Sequence, residues 1–360
     1  MSFDSPFGDA DTKMSSSACP LPITSTDCVL LGHGSGGRLS AELIETLIVP
    51  AFSNPALAAL DDQAVVGVGD AGRIALTTDS YVVSPIFFPG GDIGELAVNG
   101  TINDLAVGGA RPVALSFALI IEEGFPLADL RRVVDSARRA AERAGVPVVT
   151  GDTKVVGRGS ADRIFVNTSG VGVVPRGVTL GSAEVRSGDA ILLSGPVGDH
   201  GVAIMAHRAG LDLGSDVISD TAPLHGLAAA LLEACPEVHA MRDPTRGGLA
   251  ATLVEVATRR RLGMEVDETA VPVREAVRGA CELLGLDPLL VANEGKLVAF
   301  VPERHAHRAL DALRAHPLGR EAACIGKVTA AHPGAVELIT PVRGRRVLHL
   351  PFAEPLPRIC

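Results

Sequence analysis

Residues 113–145 read VALSFALIIEEGFPLADLRRVVDSARRAAERAG, and this stretch decides the fold class. Val113–Ile121 is a β-rich apolar run. Pro126 then suits a first helical position, where its missing N–H has no partner to lose. Leu127, Leu130, Val134, Ala137 and Ala141 recur at helical spacing until Gly145, a stop signal. A strand followed closely by a helix marks an α/β chain. Outward from it lie further β-rich runs at Ala64–Val68, Arg73–Thr78 and Arg163–Val174. A second α/β block opens near Ser187-Gly-Asp with a strand at Ala190–Leu193 and helical stretches near 221–234, 246–260 and 303–315.

The expected organisation is therefore α/β (α+β), with an N-terminal domain over 29–180 and a C-terminal domain over 181–345. A loosely ordered lead-in, residues 1–28, is rich in Ser, Asp, Thr and Pro. Residues 346–360 should form an extended, mobile tail, because Pro351, Pro355 and Pro357 remove backbone donors and fix φ.

With 360 residues, 47% of them hydrophobic, the chain can fill two ordinary cores. A net charge of −10, one Tyr, no Trp and no basic stripe speak against nucleic acid. No apolar run approaches the ~20 residues of a membrane helix, and the start Met1-Ser-Phe-Asp-Ser-Pro lacks a signal-peptide pattern. A cytoplasmic protein with no membrane partner is expected. Six scattered cysteines without a CxxC pair give neither a zinc site nor a disulfide framework.

Four acidic sites stand at the ends of strand-like runs or in glycine-bearing turns: Asp61-Asp62, Asp79, Asp104, and Asp152 with Lys154 two residues on. Any one alone reads better as a cap or turn residue. Four together, in a chain without a basic face, point to magnesium, which takes carboxylate oxygens while escorting nucleotide phosphates. The glycine clusters Gly32–Gly37 and Gly90–Gly94 could present amides to phosphate or simply make tight turns. Asp243 lies in a turn feeding a helix, and is either an N-cap or part of an anion site. Glu294, between two apolar runs, is a turn carboxylate or a positioned base. Cys360 ends the Pro-rich tail, as an accidental cysteine or as a covalent carrier on a swinging arm.

The segments LGHGSGGR (31–38), TTDSYVVSPIFFPGGDIG (77–94), NGTINDLAVGGA (99–110), GDTKVV (151–156), SGPVGDHG (194–201), RDPTRGG (242–248), NEG (293–295) and PRIC (357–360) occur in that order. Together they resemble the HypE family of hydrogenase maturation proteins, from about Val29 to Cys360. The resemblance implies a two-domain aminoimidazole-ribonucleotide-synthetase-like fold, a homodimer through the first domain, and ATP with Mg2+ in the cleft. It implies nucleotide-site roles for Asp62, Asp79, Asn103, Asp104, Asp152 and Asp243, with Asp62, Asp104 and Asp243 as magnesium ligands. Lys154 and Glu294 match catalytic positions beside the modified Cys360. The implied reaction is ATP-dependent dehydration of a carbamoyl group on Cys360 to a thiocyanate, after loading by HypF and before cyanide passes to a HypC–HypD complex.

Two alternatives of other kinds stand beside it. Selenophosphate synthetase carries its reactive residue in an N-terminal glycine-rich loop, which here reads GHGSGG (32–37) without a thiol. A non-catalytic nucleotide-binding scaffold would differ by showing no ATPase response to a carbamoyl donor.

Overall fold

The computed structural model describes residues 37–43, 45–46, 60–62, 64–67, 72–211, 217–350 and 356–360. The lead-in, the glycine cluster up to Gly36, and Pro351 and Pro355 of the tail lie outside the described residues. Leu31–Cys360 gather into one compact unit.

The first half builds on β1 (Ala64–Gly67), β2 (Arg73–Tyr81), the small hairpin of β3 (Phe87–Phe88) and β4 (Gly91–Asp92), β5 (Arg111–Glu122), β6 (Val148–Val156) and β7 (Ile164–Val174). Its sheet runs β1-β2-β7-β5-β6. Every pairing in it is antiparallel except β5 with β6, which are parallel. A parallel pair needs a crossover, and the helix over Leu127–Ala144 supplies it. Pro126 sits outside this helix as its N-cap, and Gly145 closes it in the left-handed conformation. The buried stripe is Val133, Ala137, Ala140, Ala141 and Ala144, so the expected face is rotated: Leu127 and Val134 are 69% and 42% exposed.

With a short α1 (Gly37–Leu43) before the sheet, the helix over Ile93–Val107 is α2 and the crossover helix is α3. α2 packs on β2 and β7 on one side and toward the second half on the other. It is buried all round, so it shows no polar stripe and escapes a search for helical periodicity. Asp92 caps it, accepting from Gly94 N–H at 2.8 Å and Glu95 N–H at 3.2 Å. Gly100 lets it approach β2, since a Cβ there would lie 2.1 Å from the Tyr81 hydroxyl.

The second half contains β8 (Asp189–Leu193), α4 (Asp199–Arg208), α5 (His225–Ala234), β9 (Ala240–Arg242), α6 (Gly248–Arg260), β10 (Gly263–Asp267), α7 (Glu275–Leu284), β11 (Val298–Pro302), α8 (Ala306–Ala315), β12 (Ala323–Thr329), β13 (Val336–Ile339) and β14 (Arg345–Leu348). Its sheet runs β14-β13-β10-β12-β8-β11-β9, and every residue of β8 and β11 is buried. Among the described residues no helix is long and apolar enough to cross a membrane.

The halves share cores. Ile93 and Leu96 of α2 belong to one apolar cluster with Val202 of α4, Val277 of α7, and Leu356 and Ile359 of the C-terminal segment. The tail expected over 346–360 needs correction at both ends. Arg345–Leu348 pair with β13 as a strand, because the prolines begin only after them. Leu356 and Ile359 are fully buried, so the last residues are docked.

Candidate functional site

Five carboxylates from separate elements converge where the halves meet. Asp62 stands before β1, Asp79 on β2, Asp104 in the last turn of α2, Asp243 after β9 and Glu294 ahead of β11. Asp79 thus lies on the strand whose end it is expected to mark, whereas Asp104 is on a helix. Thr77 Oγ1 lies 2.5 Å from Asp104 Oδ2 and 3.1 Å from the Asp62 carbonyl oxygen. One hydroxyl has a single proton for these two acceptors. The shorter contact makes Asp104 Oδ2 the acceptor of the Thr77 hydroxyl proton. Burial, and then the charges of Asp243, Asp79 and Asp62, hold the Asp104 carboxyl well above its ordinary range. Burial and Asp62 push Asp243 up to about 8 against the pull of Arg242. Burial likewise lifts Asp62 to about 6, partly offset by Arg242. Burial, followed by Asp220, Asp243 and Asp79, raises Glu294 well above the usual carboxylate range. Glu294 Oε1 is buried without a hydrogen-bond partner.

Cations flank the cluster. Arg242 Nε is 2.6 Å from Asp62 Oδ2, and its Nη2 is 3.6 Å from Glu255. The Asp62 approach is charge to charge rather than along the N–H direction, because Nε makes no hydrogen bond. Arg246 stands 4.0 Å from Asp79.

The backbone at Glu294 is held by Asp220. Asp220 Oδ1 accepts the Glu294 N–H at 3.0 Å, and its Oδ2 accepts the Gly295 N–H at 3.3 Å and Lys296 Nζ at 2.7 Å. Burial alone would raise Asp220, but Lys296 and these amides outweigh it and leave the carboxyl below its ordinary value. Gly295 is required by the same approach, since a Cβ there would sit 1.8 Å from the Asp220 carbonyl oxygen. Asn103 uses its whole amide to join the halves: Nδ2 donates to Ala222 O at 3.1 Å and Glu294 O at 3.2 Å, and Oδ1 accepts the Leu224 N–H at 2.7 Å.

Asp152 and Lys154 are placed differently from the sequence expectation. They lie in the edge strand β6, not in a turn, and pair with each other at 2.9 Å. Thr153 is in register with buried Leu119, so Lys154 and Asp152 point to the other, open face of the sheet. Asp79 and Tyr81 face α2 instead. Lys154 and the end of β2 are also three inter-strand spacings apart, roughly 14 Å. Cys360, by contrast, is brought to the end of β2, where its backbone oxygen accepts the Val82 N–H at 3.1 Å.

Arg242, Asp220 and Lys296 were not candidates from the sequence. Arg242 had a usable signal, since it adjoins Asp243 in the RDPTRGG segment. The meeting of Asp220 with Lys296 has none, because tertiary structure alone joins them.

Residues 60–174 match the N-terminal domain, and residues 186–339 the C-terminal domain, of AIR synthase related proteins. The chain is 56% identical over 328 residues to carbamoyl dehydratase HypE of Azotobacter vinelandii, spanning 91% of this chain and 96% of that protein. The chain belongs to the HypE family. It is thereby a carbamoyl dehydratase of hydrogenase maturation. The crystal structure of a HypE in complex with ATP has a TM-score of 0.78 at 49% identity, covering 92% of this chain and 100% of that one. A HypE–HypF complex gives 0.81 at 44% identity, covering 86% and 99%.

Proposed function

We propose that this HypE-family chain converts a carbamoyl group held as a thiocarbamate on Cys360 into a thiocyanate, with ATP as co-substrate. One observation carries the reading: the terminal cysteine is docked at the end of β2, the strand that bears Asp79 of the carboxylate cluster. The carbamoyl oxygen attacks the γ-phosphorus and ADP leaves. Both N–H protons are then lost as the C–O bond breaks and phosphate departs, leaving a C≡N group on sulfur. Phosphate is the better leaving group than hydroxide, so the net change is removal of water.

The acidic set fits a hard cation on the chemistry of its donors. Asp62, Asp104 and Asp243 offer only oxygen, and burial followed by their mutual charge raises their proton affinity, a combination that a bound cation would relieve. Among the described residues no group of three or more acidic, His or Cys side chains stands close enough to hold a metal ion by itself. Mg2+ would take its remaining ligands from phosphate oxygens and neutralise the triphosphate. Glu294, unpartnered at Oε1 and raised in proton affinity, suits a base toward the carbamoyl nitrogen.

Lys154 faces the open side of its sheet, where Leu76, Ile120, Val171 and Val173 are exposed together. A separate apolar depression of about 440 Å³ lies on the opposite side of the sheet, between α3 and β6. A second copy covering the Lys154 face is the expected homodimer, and Lys154 then steadies the developing charge from across the interface. HypF as the carbamoyl donor is supported by the solved HypE–HypF complex. A HypC–HypD complex as the cyanide acceptor, and a cytoplasmic setting, complete the reading.

The test is mass spectrometry of the C-terminal peptide after incubation with HypF, carbamoyl phosphate and ATP. A carbamoyl adduct on Cys360 that loses one water only when ATP is present is expected. An adduct that persists through ATP turnover would refute the dehydration.

A further inference from the structure

Both ends of α4 touch the docked C-terminus. Arg208 Nε donates to Ser84 O at 2.5 Å, its Nη1 to Pro357 O at 2.8 Å, and its Nη2 to Arg358 O. The planar guanidinium thus ties two successive tail carbonyls to the segment after β2, a task matched to its fixed fork of donors. About two turns away on the same helix, His200 Nε2 bonds Ile359 O at 2.8 Å. A carbonyl can only accept, so Nε2 carries the proton and Nδ1 accepts from Ser219 Oγ at 2.7 Å. Burial lowers the His200 pKa and favours this neutral form. From the opposite side, Ser84 N–H donates to Arg358 O at 3.2 Å, Val82 N–H donates to Cys360 O, and Arg358 Nε donates to Val82 O at 2.9 Å.

Every backbone carbonyl from Pro357 to Ile359, and a backbone oxygen of Cys360, is therefore held by a donor from the body of the protein, and Leu356 and Ile359 fill apolar sockets. We propose that Arg208 and His200 are positioning residues forming a clamp on the tail backbone, and that the strength of this clamp sets how often the Cys360 thiol faces solvent. The proposal rests on the reading of Cys360 as the carrier. Because the clamp grips main-chain carbonyls, it accepts the tail whether the sulfur is free or acylated. Loading by a partner needs the tail released, whereas dehydration needs it gripped, so weakening the clamp acts on the two steps in opposite directions.

The experiment follows alkylation of Cys360 by a maleimide in the full-length protein without nucleotide, resolved by peptide mass. Exposed Cys324 serves as the reference thiol, and buried Cys235 and Cys281 report any loss of fold. Arg208→Ala and, from the tail side, Leu356→Ala are expected to speed Cys360 labelling at least tenfold with Cys324 unchanged. Arg208→Lys, which keeps the charge but not the fork, should fall between. In single turnover, the loaded Arg208→Ala protein should form nitrile at least tenfold more slowly, while loading by HypF is undiminished. If Arg208→Ala exposes Cys235 or Cys281, Leu356→Ala decides. Wild-type labelling rates in the folded variants would overturn the clamp. A wild-type protein that labels as expected but yields no nitrile would refute the dehydration and leave the clamp standing.

Discussion

Replacing Asp243 by Asn should stabilise the ligand-free protein while disabling it. A carboxyl raised in the folded state favours folding in its neutral form, so its contribution is complete below the unfolded pKa and is lost as pH climbs toward the folded one. For Asp243 that window runs from 3.8 to about 8, and the ligand-free protein should lose stability across it. The full displacement sets an upper bound of about 6 kcal/mol. Asp62 and Asp104 share the environment and relax when one of the group ionises, so about half the bound, roughly 3 kcal/mol, is the gain expected for Asp243→Asn near pH 8. The gain should shrink toward about pH 4. Urea denaturation of wild type and variant at about pH 5 and about pH 8, with and without Mg2+ and ATP, measures it. With both ligands present the wild type should recover and the variant should not. A ligand-free wild type whose stability is level over this range, or a variant no more stable than wild type near pH 8, would refute the reasoning.

Asp79→Ala should abolish Mg2+-dependent ATP turnover with an unchanged circular dichroism spectrum, and near-normal turnover would remove Asp79 from the nucleotide site. Gly295→Ala must push the Asp220 carbonyl away and displace Glu294; a loss of at least tenfold in nitrile formation is expected by single-turnover mass analysis. Asn103→Ala should cost about 2–4 kcal/mol in denaturant midpoint analysis, because backbone groups of Ala222, Leu224 and Glu294 in the second half lose their bonds to α2. Mixed dimers of Lys154→Ala and Glu294→Gln subunits should regain activity that neither variant has alone, if the lysine serves across the interface; no regain would place it in its own chain's site.

What the sequence made legible was whatever follows a short period. The strand over Val113–Ile121 and the helix ending at Gly145 show their type through apolar spacing, and their parallel partner β6 then follows from the crossover rule. Its Gly151 and Asp152 nevertheless look like turn residues, because the strand is an uncovered edge. α2 stayed hidden for the opposite reason: wrapped on every side and interrupted by Gly94 and Gly100, it has no polar face to set a rhythm. Asp62, Asp79, Asp104, Asp243 and Glu294 could be picked out because acidic residues in apolar surroundings are conspicuous. That Asn103 would join the halves, and that Lys154 would face away from Asp79, depends on sheet register, which no local pattern fixes.

The apolar clusters that run through both halves also govern how the enzyme can move. With α2 embedded between the β2–β7 sheet and the second half, a hinge that opened the cleft would have to tear a continuous core, exposing side chains such as Ile93, Leu96 and Val202 to water. Opening and closing must then be assigned to pieces held mainly by hydrogen bonds and a few sockets, and the C-terminal peptide is such a piece. The body behaves as a fixed workbench, and substrate delivery becomes a property of the last few residues rather than of domain motion.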